Sequence, residues 1–141
     1  MLRQARRDDI AAMHRVRMAV RENRLTSTVI TEADYIAAIE HHGRGWVVEA
    51  RDEVVGFAVG DARDGNIWAL FVDPDHEGRG YGRRLHDAMI AWLRSRDLER
   101  LWLTTDANTR AQRFYEAAGW QHAGWTKEGA LRLELPLKSD A

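Results

Sequence analysis

The run Glu77-Gly78-Arg79-Gly80-Tyr81-Gly82-Arg83-Arg84 interleaves glycine with charge. It follows an apolar stretch, Ile67 to Val72, and precedes a helical pattern opening at Leu85. Glycine at every second position admits positive φ and removes Cβ atoms from a ligand's path. Backbone N–H groups of such a loop converge on an anion, assisted by the positive end of the following helix dipole. The arginines at 79, 83 and 84 add to the attraction. The chemistry expected here is a diphosphate seat, against the plainer reading of a tight turn before a helix.

A second constellation is Asn108 with Tyr115. Seven residues of helix make nearly two turns, so both side chains share a face about 10 Å apart. Asn108 falls at the expected N-cap, where it serves the helix, a ligand or both. Ala111, Phe114 and Ala118 form a neighbouring apolar stripe. A phenol held beside that stripe with its hydroxyl outward suits a proton donor, and the bland rival is a packed aromatic. Other titratable residues carry weaker signals. His76 reads as a solvated loop residue before it reads as a base, and Asp61 and Asp106 read as turn carboxylates. His41-His42 lacks a matching ligand set, so no metal site is expected.

These groups sit in a chain of 141 residues, which suits one domain over residues 1–141. Apolar content of 45%, charged content of 30% and a net charge of -1 describe a globular protein with no bulk attraction to nucleic acid or to an anionic membrane. The chain contains no cysteine, which removes disulfides, thiolate metal sites and a cysteine nucleophile. No apolar run reaches membrane-span length and no targeting peptide is read at the N-terminus, so a cytoplasmic location is expected.

The positioning elements follow from hydrophobic period. Leu2 to Arg6 predicts a strand; Asp8 or Asp9 caps a helix carrying Ile10, Met13, Val16 and Val20, and the polar stretch Asn23 to Thr28 breaks it. Thr31 and Asp34 form a capping box for a second helix with Tyr35, Ile36 and Ile39, ended by Gly43 and Gly45. Strands over Trp46–Ala50, Val54–Val59 and Ile67–Val72 are joined by turns short enough for an antiparallel meander. Leu85, Met89, Trp92 and Leu93 mark the helix after the glycine loop. A strand over Leu101–Thr105, a helix over Asn108–Ala118 stopped by Gly119, and an alternating strand over Leu131–Leu137 complete the order. The expected class is α+β in three layers (α/β/α): a mixed, mostly antiparallel sheet with helices on both faces.

The two constellations together resemble the GNAT superfamily of N-acetyltransferases. Its loop, Gln/Arg-x-x-Gly-x-Gly/Ala, corresponds to residues 77 to 82. Its later pattern, Asn-x-x-Ala-x-x-Phe-Tyr-Glu-x-x-Gly-Phe, appears as Asn108, Ala111, Phe114, Tyr115, Glu116, Gly119 and Trp120. The resemblance implies transfer of an acetyl group from acetyl-CoA to a primary amine, on a small molecule or a protein or peptide, by direct attack in a ternary complex. It places the cofactor against Leu70, Phe71, Val72, Glu77, Gly78, Arg79, Gly80, Tyr81, Gly82, Arg83, Asn108 and Tyr115, with Tyr115 as catalytic acid and backbone N–H groups around Leu70 to Val72 aligning the pantetheine arm. Relatives in the superfamily often dimerise, and a homodimer is allowed here. Two departures stand out. Glu77 replaces Gln or Arg, so its carboxylate must point away from the phosphates or pair with Arg79, Arg83 or Arg84. Neither Asn66 nor Thr104 supplies the carboxylate base that some relatives carry nearby.

Rival readings are weaker. A dinucleotide oxidoreductase needs Gly-x-Gly-x-x-Gly and βαβ winding, and a P-loop kinase needs a Gly-Lys-Ser/Thr ending. A non-catalytic acyl-CoA sensor or assembly module of the same fold is the alternative from another class. The six tryptophans are expected mostly in the core, with Trp68 or Trp125 available to line an acceptor pocket.

Overall fold

A computed structural model of the chain describes residues 1–20 and 30–137. The stretch Asn23 to Thr28 therefore lies outside the described residues. Four strands, β1 (Leu2–Gln4), β2 (Gly43–Ala50), β3 (Glu53–Asp61) and β4 (Ile67–Val72), pair in chain order as the expected antiparallel meander. The β2–β3 turn places Arg51 and Asp52 both at positive φ, 53° and 63°, the twist that a tight hairpin requires. β2 begins at Gly43, three residues before the expected Trp46. Gly43 ends the preceding helix and also enters the sheet, where a Cβ would stand 1.8 Å from the Gly60 carbonyl oxygen.

A second sheet holds β5 (Arg100–Thr105), β6 (Gln121–Trp125) and β7 (Leu131–Pro136) in the order β5-β7-β6. β6 was not expected, because all five of its residues are exposed and no apolar alternation marks it. The two antiparallel sheets join, among the described residues, at one parallel bridge, Asn66 to Trp102, so the arrangement is mixed and mostly antiparallel as expected, splayed into two halves beyond the bridge.

Helix α1 (Ile10–Ala19) follows a 3₁₀ turn, Arg7–Asp9. Asp9 holds the N-cap position of α1, as expected, but without a side-chain cap bond; its carboxylate instead reaches back to the N–H of Arg6, the N-cap of the 3₁₀ turn, at 2.8 Å. The same carboxylate accepts two hydrogen bonds from the Arg3 guanidinium, both 2.8 Å, which ties the helix start to β1. Helix α2 (Glu32–Ile36) has the expected box. Asp34 N–H donates to Thr31 Oγ1 (3.2 Å) and Thr31 N–H donates to the Asp34 carboxylate (2.8 Å). The chain then widens into a π turn over Ala37–His42.

Helices cover both faces of the first sheet. Met13, Val16, Tyr35 and Ile39 pack with Val47, Phe57 and Val59 on one face. On the other, Leu85, Met89 and Leu93 of α3 (Tyr81–Arg94) pack with Val48, Val55 and Ala58, and Leu101, Leu103, Leu131 and Leu133 of the second sheet join that core. Helix α4 (Arg110–Ala117) contributes Tyr115 to the same core. Among the described residues no helix is long and apolar enough to cross a membrane, and no His, Asp and Glu side chains cluster as metal ligands.

Candidate active site

The site begins at the Asn66–Trp102 bridge. Trp102 N–H donates to the Gly65 carbonyl (3.0 Å), and the Asn66 side-chain amide donates weakly to the Trp102 carbonyl (3.4 Å). Beyond this point β4 and β5 are no longer paired, and a wedge opens toward their C-terminal ends. Backbone groups of β4 facing that wedge have no neighbouring strand. The register of β4 on β3 also shifts there: Val59 opposes Ala69 but Gly60 opposes Ile67, leaving Trp68 as the extra residue of a bulge.

A cleft of about 980 Å³ fills the wedge, near the upper end of small-ligand sites. Leu70, Phe71 and Val72 form one wall, Thr104, Thr105 and Asp106 the other, and Ala111, Phe114 and Tyr115 close it from α4. Glu77, Gly78, Gly80, Tyr81, Gly82 and Arg83 form the end over the C-termini of the strands. Ten of the expected positions are thus brought together: Leu70, Phe71, Val72, Glu77, Gly78, Gly80, Tyr81, Gly82, Arg83 and Tyr115. Arg79 and Asn108 do not line this cleft. Asn108 is also not the N-cap. It precedes it at a left-handed φ of 64°, with its N–H on Gln112 Oε1 (2.7 Å), while Thr109 caps the helix.

Within the loop, Gly78 and Gly80 have φ of 75° and 83°, whereas Gly82 lies in the first turn of α3. Nothing lies within 4 Å of where a Cβ would stand at Gly78 or Gly80. The backbone conformation, and not crowding, therefore demands glycine at those two positions. Gly80 holds the N-cap position of α3 and brings no side-chain cap, so the first N–H groups of a 14-residue helix face the cleft end without an internal acceptor.

Charge at that end is balanced in an unexpected way. Glu77 pairs with Arg110 of α4, not with the three arginines beside it in sequence. Arg83 instead donates to Asp87 Oδ1, one turn along α3 (3.0 Å). The ring of His76 lies on the cleft wall, and its buried Nδ1 makes no hydrogen bond among the described residues. His76 is half-buried, less solvated than its loop position suggests. Asp106 reaches the wall; Asp61 does not. Asp61 is bound by Arg63 (2.8 Å) and lines a separate cavity of about 330 Å³ with Trp68. Trp125 is exposed on β6.

Tyr115 is 7% exposed, and its ring packs against Phe114 (5.3 Å between centroids) and Trp120 (5.4 Å). Helix α4 ends in a Schellman motif: Trp120 N–H donates to the Tyr115 carbonyl and Gly119 N–H to that of Glu116, each at 3.0 Å. Gly119, at φ 99°, lets the chain reverse so that Trp120 folds onto Tyr115. No group of the described residues hydrogen-bonds the phenol. Burial pushes it well above its ordinary pKa, so it remains a neutral O–H donor. Tyr115 thus belongs to the core and also lines the cleft.

Comparison with known proteins fits this geometry. The family model described as "Acetyltransferase (GNAT) family" matches residues 8–120. The chain is 43% identical over 73 residues to mycothiol acetyltransferase of Thermobispora bispora, covering 51% of this chain and 24% of that protein. It thus spans about a quarter of the length of that curated relative. The solved ribosomal-protein-S18-alanine N-acetyltransferase of Escherichia coli superposes with a TM-score of 0.79 at 20% identity, covering 100% of this chain and 96% of that one. A putative streptothricin acetyltransferase of Bacillus anthracis, solved in complex with acetyl coenzyme A, gives 0.74 at 16% identity over 96% of this chain and 98% of that one.

Proposed function

The chain belongs to the GNAT acetyltransferase family, and from that premise we propose that it moves the acetyl group of acetyl-CoA to a primary amine by direct attack in a ternary complex. The observation that carries this reading is the wedge itself: an anion-binding loop end, an unpaired strand edge and a fixed phenol share one cleft. The diphosphate sits on the N–H groups of the Gly78–Gly82 loop and the first turn of α3. The pantetheine arm adds alongside β4 beyond the Asn66–Trp102 bridge, bonding to backbone groups that no strand uses.

An alkyl amine with a pKa near 10.4 is neutral in only about one molecule in a few thousand at pH 7. Once deprotonated, its nitrogen attacks the thioester carbon and the carbonyl oxygen takes up negative charge. Backbone N–H groups near Leu70 stabilise that oxygen. The attacking nitrogen gives its surplus proton to solvent, collapse of the intermediate breaks the C–S bond, and sulfur leaves with the electron pair. Tyr115 meets it as a hydrogen-bond donor. Its raised pKa makes complete proton transfer to a thiolate of pKa about 8.5 uphill, so the phenol acts by hydrogen bonding while solvent completes protonation. With no cysteine in the chain, a thioester acyl-enzyme has no site.

Purified protein is incubated with acetyl-CoA and a panel of primary amines that includes amino sugars and peptides with a free N-terminus. Free thiol release and acetyl-amine mass are followed together. The reading predicts equal amounts of both. Ligand-dependent thermal stabilisation without thiol release would instead favour an acyl-CoA sensor.

A further inference from the structure

His86 is a buried polar residue of α3 for which the proposed chemistry has no use, at 3% exposure. Its ring stands in an aromatic nest, 5.7 Å from Phe114, 6.4 Å from Tyr115 and 6.2 Å from Trp120 between centroids. Trp120 Nε1–H donates to His86 Nε2 at 3.0 Å, within the core. Since Nε2 accepts, the neutral ring carries its proton on Nδ1 and donates it to Asp87 Oδ1 at 2.9 Å. That same carboxylate oxygen accepts from Arg83 Nε–H, and Arg83 lines the cleft beside the glycine loop.

We propose that His86 is the positioning residue for Tyr115, setting the phenol through Trp120 and reporting on the glycine loop through Asp87 and Arg83. The proposal rests on the reading of the cleft as the acetyl-CoA site. Trp120 is fixed at two points, by its backbone N–H on the Tyr115 carbonyl and by its indole N–H on His86. The Tyr115 hydroxyl has no hydrogen bond among the described residues, so its ring position is decided by packing, and Trp120 is a principal neighbour. An anion seated in the loop competes with Asp87 for Arg83. Asp87 Oδ1 then accepts from His86 alone, which strengthens the histidine's bond and with it the grip on Trp120.

Protonation disrupts the arrangement. An imidazolium presents N–H at Nε2, where it faces the indole N–H, two donors against each other. The charged groups acting on His86 are Asp87 and Arg83 of its own helix; Tyr115, Phe114 and Trp120, packed on it from α4 and the turn beyond, are uncharged. Burial keeps the ring neutral by lowering its pKa, and the bond to Asp87 opposes this only in part.

The test compares His86→Leu, which keeps bulk and removes the acceptor, with His86→Gln, whose amide oxygen reaches the Nε2 position. Steady-state constants are measured from pH 9 down to the lowest pH at which the fold is retained, and the Trp120 indole N–H is followed by NMR, assigned by its loss in Trp120→Phe. His86→Leu should lower kcat roughly 10- to 100-fold with KM for acetyl-CoA within about twofold. His86→Gln should recover most of that loss and lack the acid limb of the wild-type kcat profile. The indole resonance should move at the same pH midpoint in wild type and stay fixed in His86→Gln. If His86→Leu fails to fold, the His86→Gln pH profile and resonance decide. Wild-type kcat in both variants, or an indole signal indifferent to pH and to His86, overturns the proposal. A wild-type protein that acetylates no amine overturns the reading of the cleft instead, and the resonance still decides whether His86 holds Trp120.

Discussion

Glu77 and Arg110 form an ion pair that joins the glycine loop to the first turn of α4 across the end of the cleft. Residues 33 positions apart thereby set the distance between the two sides of the wedge. The pair also explains how a carboxylate is tolerated where the proposed function seats a diphosphate. Its charge is offset before the ligand arrives.

The pair sets opposite signs for its two members. Glu77→Gln removes a negative charge and should tighten coenzyme A binding by about two- to fivefold at low salt. Arg110→Ala leaves Glu77 uncompensated beside the phosphates and should weaken binding by roughly tenfold. Calorimetric titrations at fixed ionic strength measure both, and equal affinities in the three proteins would remove the pair from the site.

Tyr115→Phe deletes a hydroxyl that bonds to nothing in the described residues. Stability should change by less than about 0.5 kcal/mol, while kcat falls about 10²-fold or more with coenzyme A affinity preserved. Because burial raises the phenol's pKa, the wild-type enzyme should show no loss of activity from Tyr115 ionisation up to pH 10. Thermal melts and a kcat profile test the two halves separately.

Much of this was legible in the sequence because it is local. The Thr31–Asp34 box, the meander turns and the Gly119 stop depend on residues within a few positions of one another, and each formed as expected. The glycine loop and Tyr115 were legible as spaced motifs. What was not legible depends on contacts across the fold. The Glu77–Arg110 pair needs the loop and α4 brought together, and the three nearer arginines gave no hint of it. The burial of His86 is hidden for a like reason: a histidine next to an aspartate on a helix reads as surface until α4 covers it. β6 was missed because an exposed edge strand need not alternate. Asn108 was misplaced by one residue because Thr109, an equally good cap, follows it.

Asp9 predicts acid sensitivity in the anchoring of α1. Its hydrogen bonds with Arg3, together with the Arg6 N–H, hold the carboxyl below its ordinary range despite burial. A lowered folded pKa means the stabilisation is fully present above the unfolded value of about 3.9 and is lost as pH falls through the folded one. Asp9→Asn should therefore cost about 1–3 kcal/mol at pH 7 and much less near pH 2. Urea unfolding at the two pH values checks the difference; an equal cost at both would contradict it.

The most direct test of the whole account is a calorimetric titration of the wild-type protein with coenzyme A and acetyl-CoA, repeated with Gly80→Ala. Alanine at a φ of 83° strains the loop backbone without meeting any neighbour, so it disturbs the anion seat and little else. The account predicts one-to-one binding by wild type that weakens as salt is raised and weakens again in Gly80→Ala. Absence of heat with either ligand up to roughly 1 mM, or full-strength binding in Gly80→Ala, would contradict it.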